Sequence, residues 1–249
     1  MTDFDLDRAY GTVGHSTNAE LRMLAKYAEL SPAAVVELGT YLGRATIALA
    51  IAAKVKPVVT VDMFADAHLF SPGGPQGGFE YRAGNLAIFS ENVQRAGMFI
   101  SDSAVSGHIT LIRKDTVEAA KDFGIRTFKR GDEPNTVETY VTSAIGLLFV
   151  DADHNYEPLR ADLAAWTPYI VQGGYLALHD YNDHEWGVTT NARELEATGE
   201  WERIDGVHSL IVYRRIGKAA QPPLGDGHDT HYHTPAQQQM KPAAKRGRK

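Results

Sequence analysis

Short apolar runs alternate with stretches of helical periodicity along most of this 249-residue chain. Strands are predicted at 33–38, 57–62, 109–114, 145–150 and 175–178, and helices at 17–30, 43–54, 83–96, 158–170 and 188–198, with a short helix after 115–116. Largely apolar strands that each lead into a helix are typical of a parallel sheet covered on both faces. The pattern therefore predicts an α/β fold built on a doubly wound sheet.

The end of the pattern differs from its beginning. Two strand-like runs, 201–204 and 208–214, follow each other without a helix, and Asp205-Gly206 between them is a turn signal. This arrangement predicts a β-hairpin whose second strand is antiparallel to its neighbour. With the five preceding strands, the predicted sheet has seven strands, is mostly parallel and ends in an antiparallel β-hairpin.

The first predicted strand leads into a glycine turn. Its sequence reads Glu37-Leu38-Gly39-Thr40-Tyr41-Leu42-Gly43, directly before a helix. Glycine lets the backbone approach a ligand closely, and the N–H groups at the start of a helix favour electron-rich atoms. The glycine spacing differs from the G-x-G-x-x-G pattern of dinucleotide sites. The turn therefore predicts a site for a nucleotide-type cofactor and weakens the interpretation as a pyrophosphate site.

Acidic residues follow the predicted strands nearly every time. They are Glu37, Asp62, Asp115, Asp151 and Asp180. Ligands of open α/β sheets bind beyond the carboxyl ends of the strands, so these side chains are expected to share one site. Asp62, about twenty residues after the glycine turn, stands where a carboxylate accepts the ribose hydroxyls of a bound nucleoside. Asp115 fits an N-cap of the next helix equally well.

A second block of sequence identifies a protein family more specifically than the glycine turn does. It runs from Leu147 to Tyr156 and continues with Asp162, Trp166, Gly173-Gly174 and His179-Asp180-Tyr181. Together with the glycine turn, it resembles class I S-adenosylmethionine (SAM) dependent methyltransferases, in the branch of the macrolide-sugar O-methyltransferases that is related to catechol O-methyltransferases. The terminal antiparallel hairpin is also characteristic of that class. The resemblance implies that SAM is bound by Glu37, Gly39, Thr40, Gly43, Asp62, Asp115 and Thr116.

The same resemblance implies acid–base and metal chemistry. The matching positions assign Asp151, His179 and Asp180 to a divalent metal such as Mg²⁺, and His154 to the general base that deprotonates the acceptor. His179 departs from the pattern, because these relatives tend to carry a carboxylate there. A histidine ligand would favour Mn²⁺, Fe²⁺ or Zn²⁺ over Mg²⁺, and the absence of any ion stays open as well. For His154, a helix-start histidine bonded to Asp153 is the structural alternative.

Composition and charge limit the classes of partner that the protein is expected to bind. The net charge is −6, and six Lys or Arg residues against two Asp in 217–249 leave the rest more acidic still. An acidic body is a poor partner for nucleic acid. The chain has no cysteine, its N-terminus is acidic without an apolar signal region, and no run is long enough to span a membrane. We therefore expect a cytoplasmic protein with one domain at 1–216 and a disordered basic tail at 217–249, and homo-oligomerisation stays open.

The resulting hypothesis is that the protein is a SAM-dependent O-methyltransferase that acts on a hydroxyl of a small molecule. A divalent metal is expected to assist the reaction. Acceptor specificity is assigned to a Gly- and Pro-rich loop at 64–81, a polar insertion at 125–136 and the N-terminal helix. Two alternatives stay open. One is an NAD-dependent oxidoreductase on a Rossmann-like sheet, and the other is a non-catalytic cofactor-binding protein.

Overall fold

The computed structural model describes residues 5–64, 84–101, 109–121, 123, 126–129, 137–140, 144–182 and 187–218. The helices are α1 (Asp7–Tyr10), α2 (Asn18–Leu30), α3 (Arg44–Ala53), α4 (Asn85–Arg95), α5 (Thr116–Lys121), α6 (Tyr156–Trp166) and α7 (Val188–Ala197). The strands are β1 (Ala34–Leu38), β2 (Val58–Val61), β3 (Ile100–Ser101), β4 (Ile109–Ile112), β5 (Arg126–Lys129), β6 (Val137–Tyr140), β7 (Ile145–Val150), β8 (Ile170–Leu178), β9 (Trp201–Val207) and β10 (Leu210–Arg215).

The main sheet has eight strands in the order β3-β4-β2-β1-β7-β8-β10-β9. All neighbours up to β8 are parallel, whereas β10 is antiparallel to both β8 and β9. The doubly wound α/β fold and its antiparallel end are therefore confirmed. The eighth strand is β3, whose two residues are too few to give a periodic signal in the sequence.

Strands β1 and β7 lie side by side at the centre of the sheet and are buried along their whole length. One face of the sheet packs against α6 and α7 around Trp166, and the other packs against α2 and α3 around Leu24 and Leu49. The strand order runs outward in opposite directions from β1 and β7, so a crevice opens beyond their carboxyl ends. Ligands of such sheets bind in that crevice.

The boundaries around β8 and in the terminal hairpin differ from the sequence prediction. Helix α6 ends at Trp166, a 3-10 turn covers Thr167–Tyr169, and β8 begins at Ile170 rather than at 175. The strand continues through Gly173 because this glycine has a φ of +78°, beside an irregularity in the β7–β8 register. The hairpin turns at His208, with a φ of +52°, whereas Asp205 and Gly206 still belong to β9.

The insertion predicted as irregular at 125–136 contains β5, which pairs antiparallel with β6 in a small separate sheet. Most of the predicted loop at 64–81 and all of the tail from 219 lie outside the described residues. No helix in the described part of the chain combines the length and the apolar content that crossing a membrane requires.

Candidate active site

The glycine turn between β1 and α3 is held by one carboxylate. Asp62 Oδ2 accepts hydrogen bonds from the backbone N–H groups of Thr40 (2.9 Å) and Tyr41 (3.1 Å), while Oδ1 accepts from Phe64 N–H (2.7 Å). The side chain is nearly buried at the end of β2. Asp62 therefore fixes the shape of the turn, and its contact with a ribose stays a prediction.

Gly39 brings this turn against the end of β7. Its φ is +87°, and a Cβ atom there would lie 2.1 Å from the carbonyl oxygen of Asp151. Real Cβ atoms do not approach backbone that closely, so only glycine fits this position. Gly43 also has a φ of +87° and starts α3. The close approach places the turn and the residues after β7 at one site.

Glu37 supports the turn from beneath. Its side chain is fully buried, and Oε2 accepts hydrogen bonds from the hydroxyls of Thr46 (2.5 Å) and Thr60 (2.6 Å). The Thr40 and Thr60 hydroxyl oxygens lie 2.5 Å apart, which links the turn to this network. Burial raises the pKa of Glu37 to about 8, although the two threonine hydroxyls partly oppose this effect. Because none of its surface is exposed, Glu37 acts on the site through the turn.

The pair after β4 has structural partners. Asp115 is exposed, and its Oδ1 accepts from the N–H groups of Val117 (3.0 Å) and Glu118 (3.1 Å) at the start of α5, so the N-cap role is present. The Thr116 hydroxyl donates to Asp162 Oδ1 (2.5 Å). Burial raises the pKa of Asp162 to about 6 against the opposing effect of this hydrogen bond. The predicted adenine contact stays a prediction.

Four predicted residues meet beyond the ends of β7 and β8. His154 Nε2 lies 3.3 Å from Asp151 Oδ1 and 3.2 Å from Asp180 Oδ2. His179 Nδ1 lies 3.2 Å and 3.3 Å from the same two oxygens. These four side chains, termed here the strand-end cluster, place two carboxylates between two imidazoles. Asp153 accepts from Asn155, and the alternative of a bond from His154 to Asp153 stays a prediction.

The charged groups of the strand-end cluster shift one another's pKa values. Burial would raise the pKa of Asp151, but the neighbouring His179 and His154 outweigh it and hold that pKa well below its usual range. Burial would lower the pKa of both histidines, but Asp151 and Asp180 outweigh it and raise the pKa of His154 and, more strongly, that of His179. The carboxylates therefore make each neutral imidazole a stronger base.

Glu20 is a site residue that the sequence reasoning missed. It lies in the first turn of α2, is 1% exposed, and its Oε2 is 3.5 Å from His179 Nε2. Burial would raise its pKa, but His179 and the Thr17 N–H group outweigh that effect and lower it to about 2. The capping-box spacing from Thr17 to Glu20 was readable in the sequence. Its contact with His179 was not, because the two residues are far apart in the chain.

The cluster has the donors for a divalent cation. Ligand atoms of Asp151, His154 and Asp180 all lie within 4.8 Å of one another, and all three side chains are partly exposed. Two carboxylate oxygens and an imidazole nitrogen suit Mn²⁺, Fe²⁺ or Zn²⁺ as well as Mg²⁺. His179, the predicted third ligand, is only 5% exposed and turns its Nε2 toward Glu20. Its Nδ1 faces the same two carboxylate oxygens as His154 Nε2 does, so His179 stays the predicted third ligand and His154 the predicted base.

Comparison with known proteins gives one family match. A sequence model of a methyltransferase domain matches residues 36–181, a range that holds the glycine turn and the strand-end cluster. An uncharacterised protein of Acanthamoeba polyphaga mimivirus is 23% identical over 111 residues, which make up 43% of this chain. That match covers 50% of the viral protein, so the chain spans about half the length of this relative.

Solved structures share the fold. A calicheamicin methyltransferase is 20% identical, with a TM-score of 0.54, and the match covers 79% of this chain and 77% of that one. An O-methyltransferase from Bacillus cereus, solved in complex with S-adenosylhomocysteine (SAH), is 13% identical, with a TM-score of 0.50 and coverage of 84% and 86%. At these identities, the likeness extends to the arrangement of strands and helices.

Proposed function

The chain belongs to the methyltransferase-domain family, and we propose that it transfers the methyl group of SAM to a hydroxyl of a small molecule. One observation carries this proposal. The glycine turn touches the residue that begins the strand-end cluster, since Gly39 leaves no room for a Cβ atom beside the Asp151 carbonyl. A cofactor cradle and a group of acids and bases are therefore neighbours, and methyl transfer needs both in one place.

Several residues fit SAM. The carboxylate of Asp62 lies beside the turn, where it would accept from a ribose hydroxyl, and the positive φ values of Gly39 and Gly43 set the backbone path of the turn. The Bacillus cereus O-methyltransferase of similar fold was solved with SAH, the product of SAM after methyl transfer. When bound, SAM supplies a methyl group on a positively charged sulfur.

His154 is the proposed general base. Asp151 and Asp180 lie on its Nε2 side and raise its pKa, so the imidazole accepts a proton readily and its charge is stabilised afterwards. His154 would take the proton of the acceptor hydroxyl, and the acceptor oxygen would take the methyl group that SAM supplies, which leaves SAH. Holding the oxygen, the carbon and the sulfur in line is the main contribution of the protein.

A divalent ion is proposed as an additional component. With His154 acting as the base, Asp151 and Asp180 would hold the ion, which would orient the acceptor oxygens and lower their pKa. EDTA treatment and titration with Mg²⁺, Mn²⁺ or Zn²⁺ test this part separately. Turnover that is unaffected by EDTA would remove the ion from the proposal and leave His154 in place.

The function itself is tested in two steps. Isothermal titration with SAM, SAH and NAD should show binding of the first two and none of NAD, whereas binding of NAD alone would favour the oxidoreductase. SAH formation is then measured with a panel of sugars, phenols and hydroxy acids. We expect SAH formation with at least one hydroxyl acceptor, and SAM binding without transfer to any of them would favour a non-catalytic binding protein.

A further inference from the structure

Glu20 joins three separate parts of the structure at the base of the strand-end cluster. Its Oε2 accepts from Thr17 N–H (2.7 Å) at the start of α2, and its Oε1 accepts from the N–H group (3.2 Å) and the hydroxyl (3.0 Å) of Ser209 in the β9–β10 turn. The third neighbour is His179 at the end of β8. A capping box alone requires only the first of these contacts.

A buried carboxylate is costly unless charged or polar partners surround it. Glu20 is 1% exposed and His179 is 5% exposed, so each side chain is a buried polar partner of the other. The His179 ring has Glu20 on one edge and the two carboxylates of Asp151 and Asp180 on the other. A planar ring with charged groups at opposite edges cannot rotate freely, so Glu20 determines which edge faces the site.

Glu20 reaches Asp180 by a second route. The carbonyl oxygen of Ser209 accepts a hydrogen bond from Tyr181 N–H (2.9 Å), directly after Asp180. Asp180 itself has a φ of +56°, in the left-handed region that residues other than glycine seldom adopt. Such a conformation persists only where the surroundings hold it. Through its hydrogen bonds with Ser209, Glu20 stabilises the backbone conformation at Asp180.

We propose that Glu20 is a positioning residue, which orients His179 and through it the carboxylates of Asp151 and Asp180 in the strand-end cluster. This inference rests on the proposed function for its effect on turnover, but the contact between Glu20 and His179 can be tested without it. Glu20 is 1% exposed, so we expect its effect on the acceptor and the cofactor to pass through His179 and Ser209.

The test compares Glu20→Gln with Thr17→Ala. Glutamine keeps the size of the side chain and one acceptor oxygen, but it removes the charge that faces His179. The Thr17→Ala variant weakens the same capping box, because the Thr17 hydroxyl accepts from Glu20 N–H, but it leaves the carboxylate beside His179. Thr17→Ala therefore controls for the loss of helix stability.

Two readouts separate the possible outcomes. Thermal unfolding and SAM titration are measured first, and SAM affinity should stay within about twofold of the wild type in both variants, because Glu20 lies outside the proposed cradle. With the acceptor that gives the highest turnover, kcat should fall about 10- to 100-fold in Glu20→Gln, the range expected when reacting groups are misplaced, and less than about threefold in Thr17→Ala. An equal loss of kcat in both variants would overturn the positioning role and assign Glu20 to the capping box alone.

The second readout needs no turnover. The imidazole NMR resonances of His179, assigned by their loss in His179→Gln, should shift in Glu20→Gln and stay in place in Thr17→Ala. Unchanged resonances in Glu20→Gln would overturn the inference whatever the activity. Failure of the wild type to form SAH with any acceptor, together with a shifted His179 resonance, would contradict the proposed function and leave the Glu20–His179 contact established.

Discussion

Replacing Asp62 tests the cofactor cradle, because this one carboxylate serves both the turn and the proposed ribose contact. In Asp62→Ala, the N–H groups of Thr40, Tyr41 and Phe64 lose their acceptor. Each unsatisfied buried donor costs about 1–3 kcal/mol, and water that enters the space left by the removed carboxylate can replace some of the lost bonds. We therefore expect the free energy of unfolding to fall by about 2–5 kcal/mol.

Asp62→Ala should also weaken SAM binding. Loss of the charged acceptor for two ribose hydroxyls is expected to weaken binding by about 1–3 kcal/mol, which is about a 5- to 150-fold increase in Kd. Asp62→Asn separates the two effects, since its carbonyl oxygen still accepts from part of the turn while the charge is gone. Urea unfolding and isothermal titration measure them. A folded Asp62→Asn variant that binds SAM with wild-type affinity would refute the ribose assignment.

Four further predictions follow from the site. Gly39→Ala should destabilise the fold and weaken SAM binding, because its Cβ would meet the Asp151 carbonyl at 2.1 Å; wild-type melting and affinity would show that the turn can open without cost. Because the pKa of Glu37 is raised to about 8, the folded state keeps a proton that the unfolded state releases above pH 4.5. The free energy of unfolding should therefore fall as the pH rises from 4.5 to about 8. Urea unfolding should show a flatter pH dependence in Glu37→Gln, and the same pH dependence in both proteins would contradict this prediction. His154→Ala should lower kcat by about 10²–10⁴-fold with SAM affinity unchanged, the range for a lost general base, and a kcat near that of the wild type in initial-rate assays would exclude this role. Asp180→Asn should show a turnover defect that excess divalent metal partly restores, and no restoration at any metal concentration would argue against an ion there.

The central strands were predictable because their signal is local. The run at 145–150 matches β7 at both ends, since almost every residue is apolar and the acid Asp151 follows directly. The acids at the strand ends were predictable for a related reason, because the carboxyl ends of parallel strands must meet. The start of β8 was predicted too late because a glycine pair is an ambiguous signal, and the positive φ of Gly173 is accommodated within the strand.

What the sequence could not show depends on contacts between distant segments. Glu20 lies 159 positions before His179 in the chain, and only the packing of α2 against the sheet brings them together. The small residue at Gly39 was predicted to make room for a cofactor. The structure adds another cause, the approach of the Asp151 backbone, which depends on the pairing of β1 with β7.

A crystal structure with SAH and a divalent metal tests most directly the claim that the turn and the strand-end cluster form one active site. The account predicts that the ribose of SAH contacts Asp62, that its methionine part lies on the Gly39 turn, and that its sulfur faces the side of the turn where His154 and Asp180 lie. SAH bound away from the turn, or with its sulfur directed away from His154, would contradict the account.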